Sequence, residues 1–369
     1  MKERFGPDII GITSTVPIEV IYSSGLRPVD LNNVFIRDKE AAGLVGGAEG
    51  RGFPLNMCAW VKGIYAVVKE EGLKRVVGVT EGDCSPTHGL LSVLKSEGTE
   101  IVEFRYPGSR KKEEVEQELK HFARRLGTTL AAAERMKERL DEVRRVVWAI
   151  DDLTWRTGQV TSVENHHWCI NTSDFWGDPE AFETQASAFL NEVRKRPPSS
   201  SDLRLGFIGI PPIVSNLYQV AQSLSIDIVF NEFQRQFSMP YQTSTLAEQY
   251  SLYTYPYDVS FRLKDIKTEV ERRRLDGIIH YVQSFCHRHL EDKIIRQNLA
   301  LPILTLEFDR PGEMDARSRT RLEAFGEMLR QKNGGGRRQR RPGACPPHHT
   351  ARPSRALRPG AARRGRGRG

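Results

Sequence analysis

Arg75-Val-Val-Gly-Val79, followed by Thr80-Glu-Gly-Asp-Cys-Ser85, a helix-patterned run over 87–95 and the apolar run Glu100-Ile-Val-Glu-Phe104, decides the fold class. A short β-branched run bounded by Gly and Asp reads as a buried strand, the next segment as a helix, and the last run as a second strand. Strand, crossover helix and strand make the unit of a parallel sheet, so the chain reads as α/β. The rhythm extends outward in both directions. Ile9–Ile12 reads as strand, 17–24 as helix, and a helix beginning near Asn56 carries Ala59, Gly63, Ala66 and Val67 on one side. Beyond residue 202, strands are expected over 203–210, 226–230, 277–283 and 303–307, with helices over 213–224, 263–275, 287–298 and 316–329.

The segment between these halves breaks the pattern. Residues 111–147 are dense in Glu, Lys, Arg, Leu and Ala with opposite charges four apart, which favours long helices. Together with 178–194 they read as a helical insert. Arg194-Lys-Arg-Pro-Pro-Ser-Ser-Ser-Asp202 combines charge, paired prolines and serines, the composition of a linker. The expected organisation is therefore an N-terminal α/β domain over 1–110, a helical segment over 111–196, a C-terminal α/β domain over 202–330, and a tail over 334–369.

With 369 residues the chain can bury a sizeable core without disulfide or metal staples. Its formal charge of +8 suggests a polyanion partner, but residues 334–369 hold eleven Arg and no acid, leaving 44 basic and 47 acidic residues in 1–333. The basic signal belongs to the tail, and a nucleic-acid partner is expected through it or not at all. Eleven Arg, eight Gly and five Pro in those 36 residues cannot offset ordering entropy by burial, so the tail is expected to be disordered. An incidental or frame-altered carboxyl end is the plainer account of it. Five cysteines without paired spacing do not make a secreted disulfide framework. No signal-like segment is evident and no run approaches about 18 apolar residues, so a cytoplasmic protein without a membrane span is expected.

Three cysteines occupy equivalent places. Cys58 starts a helix, Cys84 lies between the strand ending near Val79 and the helix from Thr87, and Cys286 lies between the strand ending near Gln283 and the helix from His287. Ligands gather at the carboxyl ends of strands in open α/β sheets, where helix amino termini offer N–H groups and positive potential. That potential is expected to favour the thiolates that metal binding needs. Soft thiolates select zinc or iron–sulfur clusters, and the absence of CxxC pairs argues against a zinc ribbon. Three ligands suit a cubane with one iron open; the competing reading is three unrelated packed thiols.

Other signals are weaker. Cys169, in His166-His-Trp-Cys-Ile170, reads as a packed thiol, and Cys345 falls in the tail. His166 and His167 are adjacent and do not share a face, so they read as ordinary polar positions. Cys84 with His88 could pair a nucleophile with a base but lacks an orienting third group. Gly46-Gly-Ala-Glu-Gly-Arg-Gly52 matches neither GxGxxG opening a helix nor a Walker A sequence, and reads as a flexible loop delivering Cys58. Arg317, Arg319 and Arg321 form a basic cluster, either a solvated helix face or a contact for an anionic cofactor.

Asp276-Gly-Ile-Ile-His-Tyr-Val-Gln-Ser-Phe-Cys-His-Arg-His-Leu-Glu-Asp292 carries a resemblance, with Leu301-Pro-Ile-Leu-Thr-Leu-Glu-Phe-Asp-Arg-Pro311 and Asp315-Ala-Arg317. Cys58-Ala-Trp-Val-Lys-Gly63, Thr80-Glu-Gly-Asp-Cys-Ser85 with His88, and Asn231-Glu-Phe-Gln-Arg-Gln-Phe-Ser-Met-Pro240 extend it over roughly residues 8–330. The chain resembles the 2-hydroxyacyl-CoA dehydratase family of the 2-hydroxyglutaryl-CoA dehydratase D-component type, which is related to benzoyl-CoA reductase subunits and double-cubane cluster proteins. The resemblance implies two Rossmann-like parallel-sheet domains with a helical insert, and a 4Fe-4S cluster held between them by Cys58, Cys84 and Cys286. It implies an ATP-dependent iron–sulfur activator that injects one electron, a ketyl radical formed from an (R)-2-hydroxyacyl-CoA, loss of the C2 hydroxyl and the C3 proton, and a 2-enoyl-CoA product. The open iron would act as a Lewis acid while the protein orients the substrate and excludes water.

The same resemblance leaves two other roles: a low-potential reductase subunit of benzoyl-CoA or double-cubane type, and a non-catalytic electron-transfer subunit. It leaves open whether the chain forms a homodimer or pairs with a homologous subunit, which acyl-CoA it takes, and which group is the base for the C3 proton. Cys169 stands where an apolar residue is expected, and the Arg-rich tail has no counterpart in the family pattern.

Overall fold

Ile9–Ile12 forms β1, buried along its whole length, because it lies inside a parallel sheet covered on both faces. The computed structural model describes residues 5–284 and 286–334, so the expected disordered tail, together with Cys345, lies outside the described residues. After β1 come α1 (Ile18–Ser23), β2 (Arg27–Asp30), α2 (Leu31–Arg37), α3 (Ala41–Gly50), α4 (Ala59–Glu70), β3 (Arg75–Glu81), α5 (Ser85–Ser96) and β4 (Glu100–Arg105). The helical segment follows as α6 (Lys112–Arg125), α7 (Leu130–Arg156), α8 (Ser162–Ile170) and α9 (Pro179–Val193). The remainder is β5 (Leu203–Ile208), α10 (Leu217–Ser223), β6 (Ile226–Asn231), α11 (Glu232–Phe237), α12 (Leu246–Leu252), α13 (Val259–Arg273), β7 (Gly277–Val282), α14 (His287–Asn298), β8 (Ile303–Glu307) and α15 (Ala316–Gly334).

Among the described residues the strands form two four-stranded parallel sheets, ordered β2-β1-β3-β4 and β6-β5-β7-β8. The two sheets thus share one topology, and in each the order reverses beside the first strand of the pair β1/β3 or β5/β7. This is the α/β architecture expected from the strand and helix rhythm. β2 has no counterpart in the sequence reading. It is a four-residue edge strand containing Pro28, a residue tolerated there because an edge leaves one N–H side unpaired.

Gly46 to Gly50 belong to α3, not to a flexible loop, which corrects the sequence reading of that stretch. Leu44, Val45 and Ala48 of α3 are buried and pack into the apolar cluster that also takes Trp60, Ile64 and Val67 of α4. Tertiary packing here outweighs the poor helix propensity of glycine.

The helical segment is tied to both α/β halves by buried ion pairs. Arg144 on α7 meets Glu19 on α1 at 2.7 Å with both side chains fully buried. Glu19 also accepts from Gln249 and Tyr250, each at 2.7 Å. One helical turn and more along α7, Asp151 meets Arg273 on α13 at 2.5 Å. No helix among the described residues is long and apolar enough to cross a membrane.

Candidate functional site

In both sheets the loops at the reversal of strand order face one cavity of about 110 Å³. Thr13, Ser14 and Thr15 follow β1; Asp83 and Cys84 follow β3; Ile210 and Pro211 follow β5; Gln283 and Cys286 follow β7; all line it. Cys58 completes the lining from the start of α4. The cavity therefore sits where the carboxyl ends of two central strand pairs converge.

Each cysteine is the N-cap residue of its helix: Cys58 of α4, Cys84 of α5 and Cys286 of α14, none with a side-chain capping bond. The chain reaches these positions by local devices. Gly82 has φ +94°, and a Cβ there would stand 2.9 Å from both Tyr106 Cβ and Pro256 Cβ, so only glycine lets the β3–α5 turn pass. Gly63 lets α4 approach α2, because an added Cβ would lie 2.3 Å from Phe35 Cγ. Pro86, in the first turn of α5, lacks an N–H where none is needed.

The thiols do not show the acidity expected from helix amino termini. Burial pushes Cys58 up to about 12, against the N–H groups of Val61 and Trp60, and Cys84 and Cys286 raise it further. Cys84 is raised by burial and then by Asp83, and Cys286 by burial against the help of the Arg288 N–H and guanidinium. Desolvation exceeds the helix-end potential, so a metal held by these groups would first have to displace their protons.

Several polar atoms around the cavity have no partner among the described residues. Thr13 Oγ1, Trp60 Nε1 and Arg288 Nη1 are buried and unbonded, and all three side chains line the cavity. Each can donate, and orphaned buried donors are costly unless an acceptor arrives. Two carboxyls, Asp30 and Asp83, share the lining, and burial raises both. Trp60, Val61, Ile64, Ile170 and Phe237 supply apolar wall. No group of three His, Cys, Asp or Glu side chains among the described residues could hold a single metal ion. A cluster in which each thiolate binds a different iron asks for a wider spacing, and its sulfides accept hydrogen bonds from such donors. The donor set fits that group.

The other sequence candidates lie elsewhere. Cys84 Sγ is 3.3 Å from Thr87 Oγ1, while His88 is exposed and does not line the cavity, so the thiol–base pair is absent. Cys169 is fully buried on α8, raised by burial and then by Asp151, and packs in the core. His166 is not an ordinary polar position: burial lowers it to about 3, and its Nδ1 lies 3.1 Å from the Tyr218 hydroxyl in a part-buried polar network. Arg317, Arg319 and Arg321 are exposed on α15. Thr13, Asp30, Trp60 and Arg288 went unremarked as site residues in the sequence because only the fold brings them together.

The chain matches the family model for 2-hydroxyglutaryl-CoA dehydratase, D-component, over residues 13–329. It belongs to this family. The match begins at Thr13 in the first cavity loop and includes all three cavity cysteines. No curated protein matches the chain.

Proposed function

We propose that this D-component-family chain is the iron–sulfur subunit of a 2-hydroxyacyl-CoA dehydratase that converts an (R)-2-hydroxyacyl-CoA to a 2-enoyl-CoA. The observation that carries the reading is the convergence of three N-cap cysteines on one cavity between the two sheets. Cys58, Cys84 and Cys286 would hold a 4Fe-4S cluster. Such a cluster, when bound, supplies an open iron as Lewis acid and a one-electron redox centre.

The chain's own residues supply the rest. Trp60, Val61, Ile64 and Ile170 exclude water from the reacting carbon atoms. Asp30, buried and raised by desolvation, is the carboxyl outside the Asp83–Cys84 turn that can hold a proton at the cavity wall. An ATP-hydrolysing low-potential protein is the expected electron donor, and a homologous second subunit or a second copy the expected partner.

The test is electron stoichiometry. The anaerobic chain, supplied with ATP, a family activator and (R)-2-hydroxyglutaryl-CoA or shorter and aryl analogues, should lose water with catalytic amounts of electrons and none without ATP. Reductant consumed stoichiometrically, two electrons for each product formed, would replace this reading by the reductase alternative. Absence of turnover with a holo cluster present, across all substrates and with a homologous partner added, would favour the electron-transfer role.

A further inference from the structure

Arg288 is 6 % exposed and is the one Arg or Lys among the described residues lining the cysteine cavity. Burying a guanidinium is expensive unless it is paired, and its pairing here is incomplete. Nη2 donates to Tyr255 O at 2.6 Å, whereas Nη1 has no hydrogen-bond partner. The nearest carboxylate, Glu291, stands 3.7 Å from Nη1, too far for a hydrogen bond, and is already engaged by Arg262. The side chain cannot swing away to water, because the guanidinium lies over the rings of Phe233 and Tyr255, 4.9 and 4.8 Å from their centroids. A fixed cation, 3.7 Å from Glu291 and with its Nη1 lacking a hydrogen-bond partner, thus stands in the wall of the cavity that the three cysteines line.

We infer that Arg288 sets the reduction potential of the cluster proposed at Cys58, Cys84 and Cys286; the inference rests on that cluster reading. One-electron reduction by a low-potential donor adds one negative charge to an already anionic three-thiolate group. A cation held close to it in a dry site favours the reduced form. Asp30 and Asp83 act in the opposite direction whenever they are ionised. Arg288 is the counterweight that brings the cluster within reach of its donor.

The test uses the full chain, reconstituted anaerobically with iron and sulfide, and an EPR-monitored redox titration. Arg288→Gln should retain wild-type iron while its equilibrium constant for one-electron reduction falls at least tenfold, which is about 59 mV toward more negative potential. Arg288→Lys should restore most of that shift. A Gln variant that sheds iron while the Lys variant keeps it would overturn the inference, because the charge would then serve to hold the cluster and not to set its potential. A fully loaded Gln variant with the wild-type potential would overturn it, as would equal iron loss or equal potential shifts in both variants, which would mark packing as the contribution. A wild-type chain that takes up no cluster defeats the underlying reading, and this one with it; a normal wild-type cluster with an unmoved variant defeats this inference alone.

Discussion

The Cys58 thiol donates to Gln283 Oε1 at 3.3 Å. Cys58 caps a helix of the first sheet's half, and Gln283 directly follows the strand of the second half that leads to Cys286. Gln283 is 2 % exposed, and its Nε2 donates to Phe308 O, which also accepts from Tyr281, so the residue is fixed within the second half. This contact contributes to the registration of the two halves against each other at the point where the cysteines meet.

That registration depends on how deeply α4 sits. Gly63→Ala would press a methyl group into the Phe35 ring, a rigid neighbour, and should destabilise the fold by about 1–3 kcal/mol. Because α4 carries Cys58, iron content should fall along with the thermal midpoint. An alanine variant with an unchanged midpoint would show that α2 and α4 have slack the packing does not reveal.

Asp151 and Arg273 should account for much of the joint between the helical segment and the second α/β half. Burial alone would raise the Asp151 carboxyl, but the Arg273 guanidinium outweighs it and the net shift is downward. A lowered folded pKa means stability present above the unfolded value near 3.9 and lost as pH falls through the folded one. Asp151→Asn should therefore cost about 3 kcal/mol at neutral pH, since Arg273 keeps only Glu269 as counter-ion. In urea titrations the gap between variant and wild type should narrow below about pH 4. A gap independent of pH would contradict the ion-pair account.

Asp174 has the opposite sign. Burial first, and the Asp30 carboxylate second, raise it to about 7. The folded chain then holds a proton that the unfolded chain releases near pH 4, so this group favours folding less as pH climbs from about 4 to 7. Asp174→Asn gives up one acceptor for the N–H groups of Asp30 and Trp176, yet relative to wild type it should fare better at pH 8 than at pH 5. Urea midpoints at those two pH values decide it, and a constant difference would place the proton elsewhere.

What could be read from the sequence was whatever recurs locally. The strand-then-helix junctions at Cys84 and Cys286 are local patterns, as is the helix start at Cys58, and all three residues line one cavity. The long charged helices α6 and α7 were equally legible. β2 escaped because four residues with a proline give no periodic signal, and α3 because its glycines mimic a loop while its burial comes from α4. The acidity expected of the thiols failed because helix-end potential is visible in a sequence and desolvation is not. Arg288 sat inside a quoted motif, yet nothing local says that Phe233 and Tyr255, more than thirty residues upstream, will hold it.

Iron bound per chain, measured on anaerobically purified protein and its single-cysteine variants, decides whether the three cysteines hold a cluster. The wild-type chain should carry about four irons in a single cubane. Most of that iron should be lost in each of Cys58→Ala, Cys84→Ala and Cys286→Ala, and kept in Cys169→Ala, whose thiol packs in the core away from the cavity. A wild-type chain without iron, or a Cys169→Ala variant that loses as much as Cys286→Ala, would contradict that assignment.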